Sequence, residues 1–241
     1  MIQYDRQQQI LSLLSGKGSA TVKELAAAVF ASEASVRRDI TALESEGFVR
    51  RVYGGVVLSD YKNKAVPLAL RESDHSRSKE ELASRAAALV ENGTTLFLDA
   101  SSTVTRMIKY LGNARDLRII TNSISALEEV AKLGNTEIKA YCTGGEFDPS
   151  AKAFFGPAAE SYARSVSADV LFFSSQGVSE EGEISDVSEA ETSLRRVMLE
   201  RTRRSIFLCD SSKVGVKKTF TLCGKDSVSC MICDIPLPWE E

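Results

Sequence analysis

Two adjacent arginines, Arg37 and Arg38, lie in a segment whose apolar residues recur with helical spacing. Val36, Ile40 and Leu43 fall on one face of this segment, which predicts a helix with that face buried. The two arginines then project from the opposite face. An arginine guanidinium can bind phosphate oxygens or donate to both major-groove acceptors of a guanine. The segment is therefore predicted to be a helix that contacts DNA.

The residues around this helix favour the same interpretation. Ser32 is a suitable N-cap, and Gly47 predicts the end of the helix. Residues 48–53 and 56–58 read as two short strands around a glycine turn, which is the pattern of a β-wing. The N-terminal half of such a helix reaches base edges, and a wing lies near the neighbouring backbone. The side chains predicted to contact DNA are Ser32, Ser35, Arg37, Arg38, Thr41, Arg50, Arg51 and Tyr53.

Two further helices are predicted ahead of this one. Ile10, Leu13 and Leu14 form one apolar stripe in a helix of residues 5–15, and Gly16 and Gly18 are expected to end this helix. A second helix is predicted to begin at Thr21, because Glu24 three residues later completes a capping box. Three short helices and a wing define a winged helix-turn-helix, which we assign to residues 1–58.

Polar loops form a second set of chemically informative residues. Five predicted strands are each followed by hydroxyls, amides or glycines, and two of these loops enter a helix directly. Backbone N–H groups at a helix N-terminus, together with serine and threonine hydroxyls, form an anion site that suits a phosphate. The residues predicted to bind such a ligand are Asp99, Ser101, Ser102, Thr103, Thr121, Asn122, Ser123, Gly144, Gly145, Gln176, Gly177, Asp210 and Lys213.

Within that set, Lys213 is expected to add a cation, and Asp99 or Asp210 to accept hydrogen bonds from sugar hydroxyls. Taken alone, each loop fits an N-cap better than a ligand site. Five such loops at one sheet edge favour a site.

The loops are placed together by an alternating pattern of helices and strands. The pattern predicts an α/β domain of residues 76–241 with a mainly parallel sheet, helices on both faces, and ligands at the carboxyl ends of the strands. Predicted helices span residues 79–90, 103–111, 124–133, 156–165 and 189–202, and predicted strands span 95–98, 118–120, 137–141, 170–174, 205–209 and 231–233. Residues 59–75 are polar and are predicted to be a linker.

The bulk composition is that of an ordinary soluble chain. It has 241 residues, of which 43% are hydrophobic and 26% charged, and a formal net charge of −3. The acidic balance counts mildly against nucleic-acid binding, but a local basic face still neutralises phosphates. We find neither an apolar run of about 18 residues nor a signal peptide, and we expect a cytoplasmic protein without membrane contact. Five cysteines fit a reducing compartment.

The DNA-binding segment resembles a known bacterial family. Ser32-x-x-Ser35-Val36-Arg37-Arg38-Asp39-Ile40-x-x-Leu43-Glu44-x-x-Gly47, followed by Arg50-Arg51-x-Tyr53-Gly54-Gly55, is similar to the helix-turn-helix signature of the DeoR (deoxyribose-operon repressor) family. Ser35 replaces the usual threonine of that signature, and Tyr53 replaces the usual histidine.

The second domain resembles the sensor domain of the same family over most of residues 79–234. That domain is related in fold to ribose-5-phosphate isomerase and glucosamine-6-phosphate deaminase. The matching segments are Leu98–Thr103, Thr121-Asn122-Ser123, Asp210-x-x-Lys213, and Glu191 with Arg195-Arg196-x-Met198. Three positions depart from the family pattern: Ser101 stands for glycine, Val104 for threonine and Arg195 for lysine. A Cβ at Ser101 is expected to narrow the phosphate loop.

The sequence thus predicts an allosteric transcriptional regulator, and the resemblance implies a repressor of a sugar operon, with an activator left open. Operator DNA binds one domain, and a phosphorylated sugar or similar metabolite binds the other. We expect a homo-oligomer, a dimer or tetramer, because operators are commonly two-fold symmetric. No catalytic residue, metal site or cofactor is predicted.

Two alternatives remain open on the residues alone. One is an isomerase or deaminase with an accessory DNA-binding domain, using carboxylates for proton transfer. The other is a regulator whose second domain only oligomerises. Cys230-x-x-Cys233 lacks a second pair at zinc spacing, and His75 lies in the predicted linker, so neither indicates a metal site or a catalytic triad.

Overall fold

The computed structural model describes residues 3–59, 67–73 and 75–239. These residues divide into two compact units, one ending at Asp74 and the other beginning at His75. Within the described residues, no helix has both the length and the hydropathy needed to cross a membrane.

The described part of the N-terminal unit contains four helices. Helices α1 to α4 span Gln3–Lys17, Val22–Ala28, Glu33–Ser45 and Leu68–Ser73. The capping box at Thr21 is present, with Glu24 N–H donating to the Thr21 hydroxyl at 3.1 Å and Thr21 N–H donating to Glu24 Oε2 at 2.7 Å. Ser32 caps α3 as predicted. Helix α1 continues through Gly16 and ends before Gly18, which has a φ of +77°. Of the two glycines predicted to end this helix, Gly18 does so and Gly16 does not.

The wing forms as the sequence predicts. Strands β2 (Val49–Val52) and β3 (Gly55–Leu58) pair antiparallel around a turn at Tyr53 and Gly54. A two-residue strand, β1 (Ser19–Ala20), pairs with the other edge of β3. The apolar faces of α1, α2, α3 and the wing close one core. Its fully buried aliphatic members include Ile10, Leu14, Leu25, Val36, Ile40 and Leu43.

Within the predicted linker, residues 59–75, positions 60–66 and 74 lie outside the described residues, and residues 68–73 are helical. Helix α4 lies within it and packs against α1 in the N-terminal unit. The side chains of Pro67 and Leu68 are buried, and the Pro67 carbonyl accepts a hydrogen bond from Arg71 N–H. The linker interpretation is therefore wrong for residues 68–73. The segment is polar on average, and this concealed the two apolar residues that are buried.

The C-terminal unit is built on a six-stranded parallel sheet. Its strands are β4 (Thr95–Leu98), β5 (Leu117–Thr121), β6 (Ile138–Cys142), β9 (Ala168–Phe173), β12 (Thr202–Cys209) and β14 (Cys230–Cys233). The spatial order is β14-β12-β9-β4-β5-β6, and every neighbouring pair is parallel. The predicted mainly parallel α/β domain is therefore confirmed.

Side chains alternate between the two faces of this sheet, and each face is covered by its own core. Phe97, Leu171 and Phe173 point into one core, whereas Leu96 and Phe172 point into the other. Helices in the described residues cover both faces. They are α5 (Ser76–Ala87), α6 (Ser102–Thr105), α7 (Ile124–Leu133), α8 (Pro157–Ser165) and α9 (Glu189–Glu200).

The strand order reverses direction between β4 and β9. Chain order runs outward from β4 to β6 on one side and outward from β9 to β14 on the other. In open α/β sheets such a reversal opens a crevice at the carboxyl ends of the two central strands. This crevice is where the loops after β4 and β9 meet.

Several elements of this unit differ from the sequence prediction. The predicted helix of residues 103–111 is a short α-helix, α6, followed by the 3-10 segment Arg106–Tyr110. A hairpin and a small antiparallel sheet were not predicted. They comprise β7 (Glu146–Asp148) with β8 (Ala153–Phe155), and β10 (Gly177–Val178) with β11 (Glu183–Asp186) and β13 (Phe220–Gly224).

Candidate DNA-binding surface and ligand site

Helix α3 presents the face that the sequence predicted. Val36, Ile40 and Leu43 are buried, whereas Arg37 and Arg38 are exposed. The Arg37 guanidinium lies 3.3 Å from a carboxylate oxygen of Glu33 one turn earlier. Two basic side chains are thus held on the solvent side of the helix, within reach of a duplex.

Two serines at the start of α3 are used by the helix itself. The Ser32 hydroxyl accepts a hydrogen bond from Ser35 N–H at 3.2 Å and donates to Ser35 Oγ at 3.0 Å. Ser35 Oγ in turn accepts from Arg38 Nη2 at 3.3 Å. The predicted contacts of Ser32 and Ser35 with DNA stay predictions, and the structure gives both residues a role in holding the N-terminus of α3.

Arg51 joins the wing to α3. Its Nη2 donates to the Thr41 hydroxyl at 2.6 Å, its Nη1 lies 3.0 Å from Glu44 Oε2, and its backbone N–H donates to Glu44 Oε1 at 3.0 Å. Thr41 and Arg51 were both predicted to contact DNA, and here they contact each other. This link fixes where the wing lies relative to the helix.

Arg50 and Tyr53 occupy the exposed part of the wing. Arg50 alternates with Arg51 along β2, and the structure shows no hydrogen bond of its side chain within the described residues. Tyr53 lies at the tip of the turn and its side chain is fully exposed. Their predicted contacts with the DNA backbone stay predictions.

Asp39 is a residue of α3 whose role sequence reasoning missed. It is fully buried, and its carboxylate accepts hydrogen bonds from Arg6 of α1, at 2.5 Å from Nε and 3.0 Å from Nη2. Hydrogen bonding to Asp39 raises the pKa of Arg6. The position of Asp39 on the apolar side of the helix, at i+3 from Val36, was the signal in the sequence.

The predicted ligand residues in the C-terminal unit lie at the carboxyl edge of the parallel sheet. Asp99 follows β4, Asn122 follows β5, Thr143 follows β6, Ser174 follows β9 and Asp210 follows β12. The sequence-predicted convergence of five loops on one edge is thus present.

Asp99 is engaged by protein donors on both carboxylate oxygens. Oδ1 accepts from Ser101 N–H at 3.0 Å, and Oδ2 accepts from Ser174 N–H at 3.2 Å and from Arg195 Nε at 2.8 Å. The predicted contact of Asp99 with sugar hydroxyls is untested. Its protein contacts tie together the loops after β4 and β9.

Arg195 is buried among three carboxylates. Its Nε, Nη1 and Nη2 lie 2.8, 2.9 and 2.6 Å from Asp99, Asp186 and Glu191, respectively. Burial opposes the charge on Arg195, but the three carboxylates outweigh it and raise the pKa of the guanidinium. Sequence reasoning noted Arg195 as a departure from the family and missed this role, because its partners are up to 96 residues away.

Several predicted ligand residues are used in local turns. Ser101 Oγ accepts from Val104 N–H at 3.2 Å, Thr121 Oγ1 accepts from Ser123 N–H at 3.0 Å, and Ser123 Oγ accepts from Ala126 N–H at 3.1 Å. Ser101 has a φ of −76°, so its backbone does not require glycine. The residue therefore caps α6 at a position where we expected its side chain to narrow the loop.

Three buried polar atoms at this edge have neither a hydrogen-bond partner nor an ion-pair partner within the described residues. They are Thr103 Oγ1, Asn122 Oδ1 and Gln176 Nε2. Thr103 and Asn122 are 1% and 2% exposed, and Asn122 uses only its Nδ2, which donates to the Phe154 carbonyl at 3.1 Å. Buried polar atoms in folded proteins almost always have a partner, so each such atom is a candidate contact for a ligand or an ordered water.

Lys213 places a positive charge beside the carboxyl ends of β9 and β12. Lys213 Nζ is 2.9 Å from Ser174 Oγ and 3.2 Å from Asp210 Oδ2. Burial would raise the pKa of Asp210, but the ammonium groups of Lys213 and Lys79 and the Ser212 hydroxyl outweigh it and hold the pKa below its usual value. Lys79, on α5, is 4% exposed and was not predicted as a site residue.

Two predicted glycines are explained by chain packing. A Cβ at Gly145, whose φ is +117°, would lie 2.4 Å from the Phe155 carbonyl oxygen, and a Cβ at Gly177 would lie 2.5 Å from that of Val216. A Cβ at Gly144 would meet open space, although its φ of +64° favours glycine. Their predicted ligand contacts are untested, and neighbouring backbone already accounts for glycine at positions 145 and 177.

Both units match known family domains. Residues 6–62 match the DeoR-like helix-turn-helix domain, and residues 74–235 match the DeoR C-terminal sensor domain. The chain therefore belongs to the DeoR family of transcriptional regulators, and it is a DNA-binding regulator rather than an enzyme.

Curated relatives align over nearly the whole chain. The HTH-type transcriptional regulator GolR of Listeria innocua is 31% identical over 97% of this chain and 91% of its own length. The L-fucose operon activator of Haemophilus influenzae is 29% identical over 97% and 92%. The lactose phosphotransferase system repressor of Staphylococcus epidermidis is 28% identical over 97% and 93%.

Among solved structures, ribose 5-phosphate isomerase from Methanocaldococcus jannaschii aligns with a TM-score of 0.43 and 17% identity, covering 58% of this chain and 55% of that one. The strand order and registers of the present chain define its fold independently of this likeness.

Proposed function

We propose that this regulator represses a sugar-catabolic operon and that a phosphorylated sugar, bound at the carboxyl edge of the parallel sheet, controls its affinity for operator DNA. The observation that supports this proposal best is a set of buried polar atoms without a hydrogen-bond partner, namely Thr103 Oγ1, Asn122 Oδ1 and Gln176 Nε2. They follow β4, β5 and β9, which are three adjacent strands around the reversal of strand order. A ligand there would supply the missing partners.

The chemistry of this edge suits a phosphorylated polyol. Thr103 can donate or accept, Asn122 Oδ1 accepts and Gln176 Nε2 donates, so the three atoms together can satisfy hydroxyl groups. Lys213 lies beside Ser174 at the end of β9, and its ammonium adds the positive charge that a phosphate requires. The network Lys213–Ser174–Asp99–Ser101 connects that cation to the loop that carries Thr103.

The names of the relatives support a sugar operon as the target. One relative is named a lactose phosphotransferase system repressor and another an L-fucose operon activator. By analogy with these relatives, we propose that this chain regulates a sugar operon as a repressor. We also propose that it binds a palindromic operator as a homo-oligomer. An in vitro transcription assay on the bound promoter would show whether the protein represses or activates transcription.

A thermal-shift assay on the full chain tests the effector. Each phosphorylated sugar is compared with its unphosphorylated parent, and a ligand at 100 times its Kd stabilises the native state by about 2.7 kcal/mol. We expect one phosphate ester, and not its parent, to raise the melting temperature. Thr103→Val keeps the shape of the side chain and removes the hydroxyl, so it should reduce the shift. If no ester produces a shift, the proposal fails and a sensor that only oligomerises is favoured.

A further inference from the structure

Phe30, in the turn between α2 and α3, combines two unfavourable properties. Its side chain is 95% exposed, and its φ of +51° lies in the left-handed region. A large side chain in that region is strained, and an exposed phenyl ring contributes nothing to the core. Val29 before it is fully buried and Ala31 after it packs against the core, so the backbone directs only the Phe30 ring to solvent.

The backbone conformation at Phe30 is set by the end of α2. Phe30 N–H donates to the Ala27 carbonyl at 3.4 Å, and Ala31 N–H donates to the Ala26 carbonyl at 3.0 Å. This is the Schellman arrangement, in which the left-handed position is usually glycine, or sometimes asparagine. Phe30 therefore occupies a position where a smaller residue would stabilise the fold.

Among the described residues, one other aromatic side chain is as exposed as that of Phe30. Tyr53, at the tip of the wing, is fully exposed, whereas the other exposed large hydrophobic side chains in the described ranges are between 38% and 44% exposed. Phe30 precedes the N-cap of α3 by two residues, and Tyr53 follows α3 on the wing. The two rings thus belong to the segments immediately before and after the helix that binds DNA.

We propose that Phe30 is a DNA-contact residue whose ring packs against an apolar edge of the duplex, a thymine methyl group or a deoxyribose, beside the bases reached by the first turn of α3. The turn is fixed to α3 by only one intervening residue before its cap, so it approaches the duplex when α3 does. Phenylalanine makes apolar contacts with the thymine methyl group.

The surroundings of Phe30 favour DNA over a second protein chain. The exposed residues that follow it are Ser32, Glu33 and Ala34, and a protein interface needs a contiguous apolar patch rather than one ring in a polar surface. The inference extends the DNA-binding activity of the family and is independent of the proposed effector.

Phe30→Asn separates a binding role from a structural one. Asparagine tolerates the left-handed conformation, so the full-length variant should melt about 2–4 °C higher than the wild type. Its affinity for a duplex selected by the wild-type protein from a random-sequence library should fall about tenfold, because the apolar contact is lost. Phe30→Leu keeps an apolar side chain and the backbone strain, and it should retain most of the affinity without the gain in melting temperature.

Lys152→Asn is the matched control. Lys152 has a φ of +48° in the other unit, so this change relieves the same kind of strain and should leave DNA affinity unchanged. Unchanged affinity of Phe30→Asn for the selected duplex would overturn the proposal. A shift of Phe30→Asn to a smaller oligomer in sedimentation would also overturn it, because the ring would then belong to a protein interface.

Two experiments on the DNA distinguish a contact with a thymine methyl group from a contact with a deoxyribose. Replacement of single thymines by uracil should weaken the wild type and leave Phe30→Asn unaffected if the ring contacts a methyl group. If it contacts a deoxyribose, the wild type should protect one sugar from hydroxyl-radical cleavage, and Phe30→Asn at saturation should expose it. Absence of both differences would contradict the contact, even if the variant proved unstable.

Discussion

The guanidinium of Arg195 contacts carboxylates from three segments, namely the loop after β4, strand β11 and helix α9. Arg195→Ala would leave Asp99, Asp186 and Glu191 buried without their common cation. Removing one partner of a buried ion pair typically costs about 3–5 kcal/mol. We therefore expect urea unfolding of the full chain to show a loss of about that size in the C-terminal unit.

Arg196→Ala is the control for this change. Arg196 is the next residue, is exposed, and donates one hydrogen bond to the Thr221 carbonyl. Its removal should cost less than about 1 kcal/mol. Equal losses for the two variants would show that the buried cluster does not organise the loop after β4.

The lowered pKa of Asp210 predicts how the stability of the protein depends on pH. Because its folded-state pKa is below the ordinary value of 3.8, its ionised form stabilises the native state above that pH, and this contribution is lost as the pH falls through the folded pKa. Asp210→Asn should therefore be less stable than the wild type at pH 7, and the difference should shrink below about pH 4. Urea titrations at a series of pH values would measure it, and a difference that is constant with pH would contradict the assignment.

At the scale of the elements, α3 and the wing are expected to contribute differently to DNA binding. Arg38 lies on the exposed face of α3, and Arg50 lies on β2. Arg38→Ala should cost about 1–3 kcal/mol and relax specificity at one base pair. Arg50→Ala should weaken binding to all sequences and reduce the salt slope by about one.

Binding titrations at several salt concentrations, on selected and scrambled duplexes, would distinguish the two arginines. Arg203→Ala is a suitable control, since Arg203 is an exposed arginine of the C-terminal unit with a side chain 84% exposed. If Arg38→Ala and Arg50→Ala lower affinity for both duplexes equally, α3 is not the element that reads sequence.

The caps of α2 and α3 offer a matched pair of stability changes. Thr21→Ala and Ser32→Ala each remove a side-chain acceptor from a helix N-terminus and should each cost about 1 kcal/mol. Only Ser32→Ala should also weaken DNA binding, because Ser32 orders the Ser35–Arg38 contact at the start of α3. Thermal unfolding and duplex titration of both variants would test this, and equal DNA affinity would limit Ser32 to a structural role.

Elements with strong local signals were predictable from the sequence. Caps at Thr21 and Ser32, the wing glycines and the helix of residues 124–133 rest on nearest-neighbour patterns, and the structure has them at the expected places. Strands β10, β11 and β13 were missed because they are short and pair across gaps of up to some 40 residues, which leaves no periodic signal. Helix α4 was missed because its anchors, Pro67 and Leu68, lie in a polar segment.

The candidate ligand site was predictable as a location and less so in its details. The alternating pattern places the loops after the strands at one edge, which is confirmed by the strand order. Which hydroxyls are left for a ligand depends on the backbone geometry within each loop, since Ser101, Thr121 and Ser123 cap local turns whereas Thr103 does not. Lys79 could not be assigned, because Asp210, whose carboxylate it influences, is distant in sequence. Arg195 could not be assigned because Asp99, which ties it to the loop after β4, is 96 residues away.

At the scale of the whole molecule, the chain joins a DNA-binding unit to a sensor unit. Allosteric regulation requires that the effector changes DNA affinity through a coupling free energy, typically about 1–3 kcal/mol or 5–150-fold. By linkage, the duplex must change the affinity for the effector by the same factor. Control of DNA binding by a phosphorylated sugar is thus the central claim of the proposed function.

The most direct test is the affinity of the full-length protein for its selected duplex, measured with and without phosphorylated sugars. The account predicts that one phosphate ester changes this affinity at least about fivefold, that its unphosphorylated parent does not, and that Lys213→Ala and Thr103→Val lose the response while binding the duplex normally without ligand. A duplex affinity that no phosphate ester alters, or a response that persists in both variants, would contradict it.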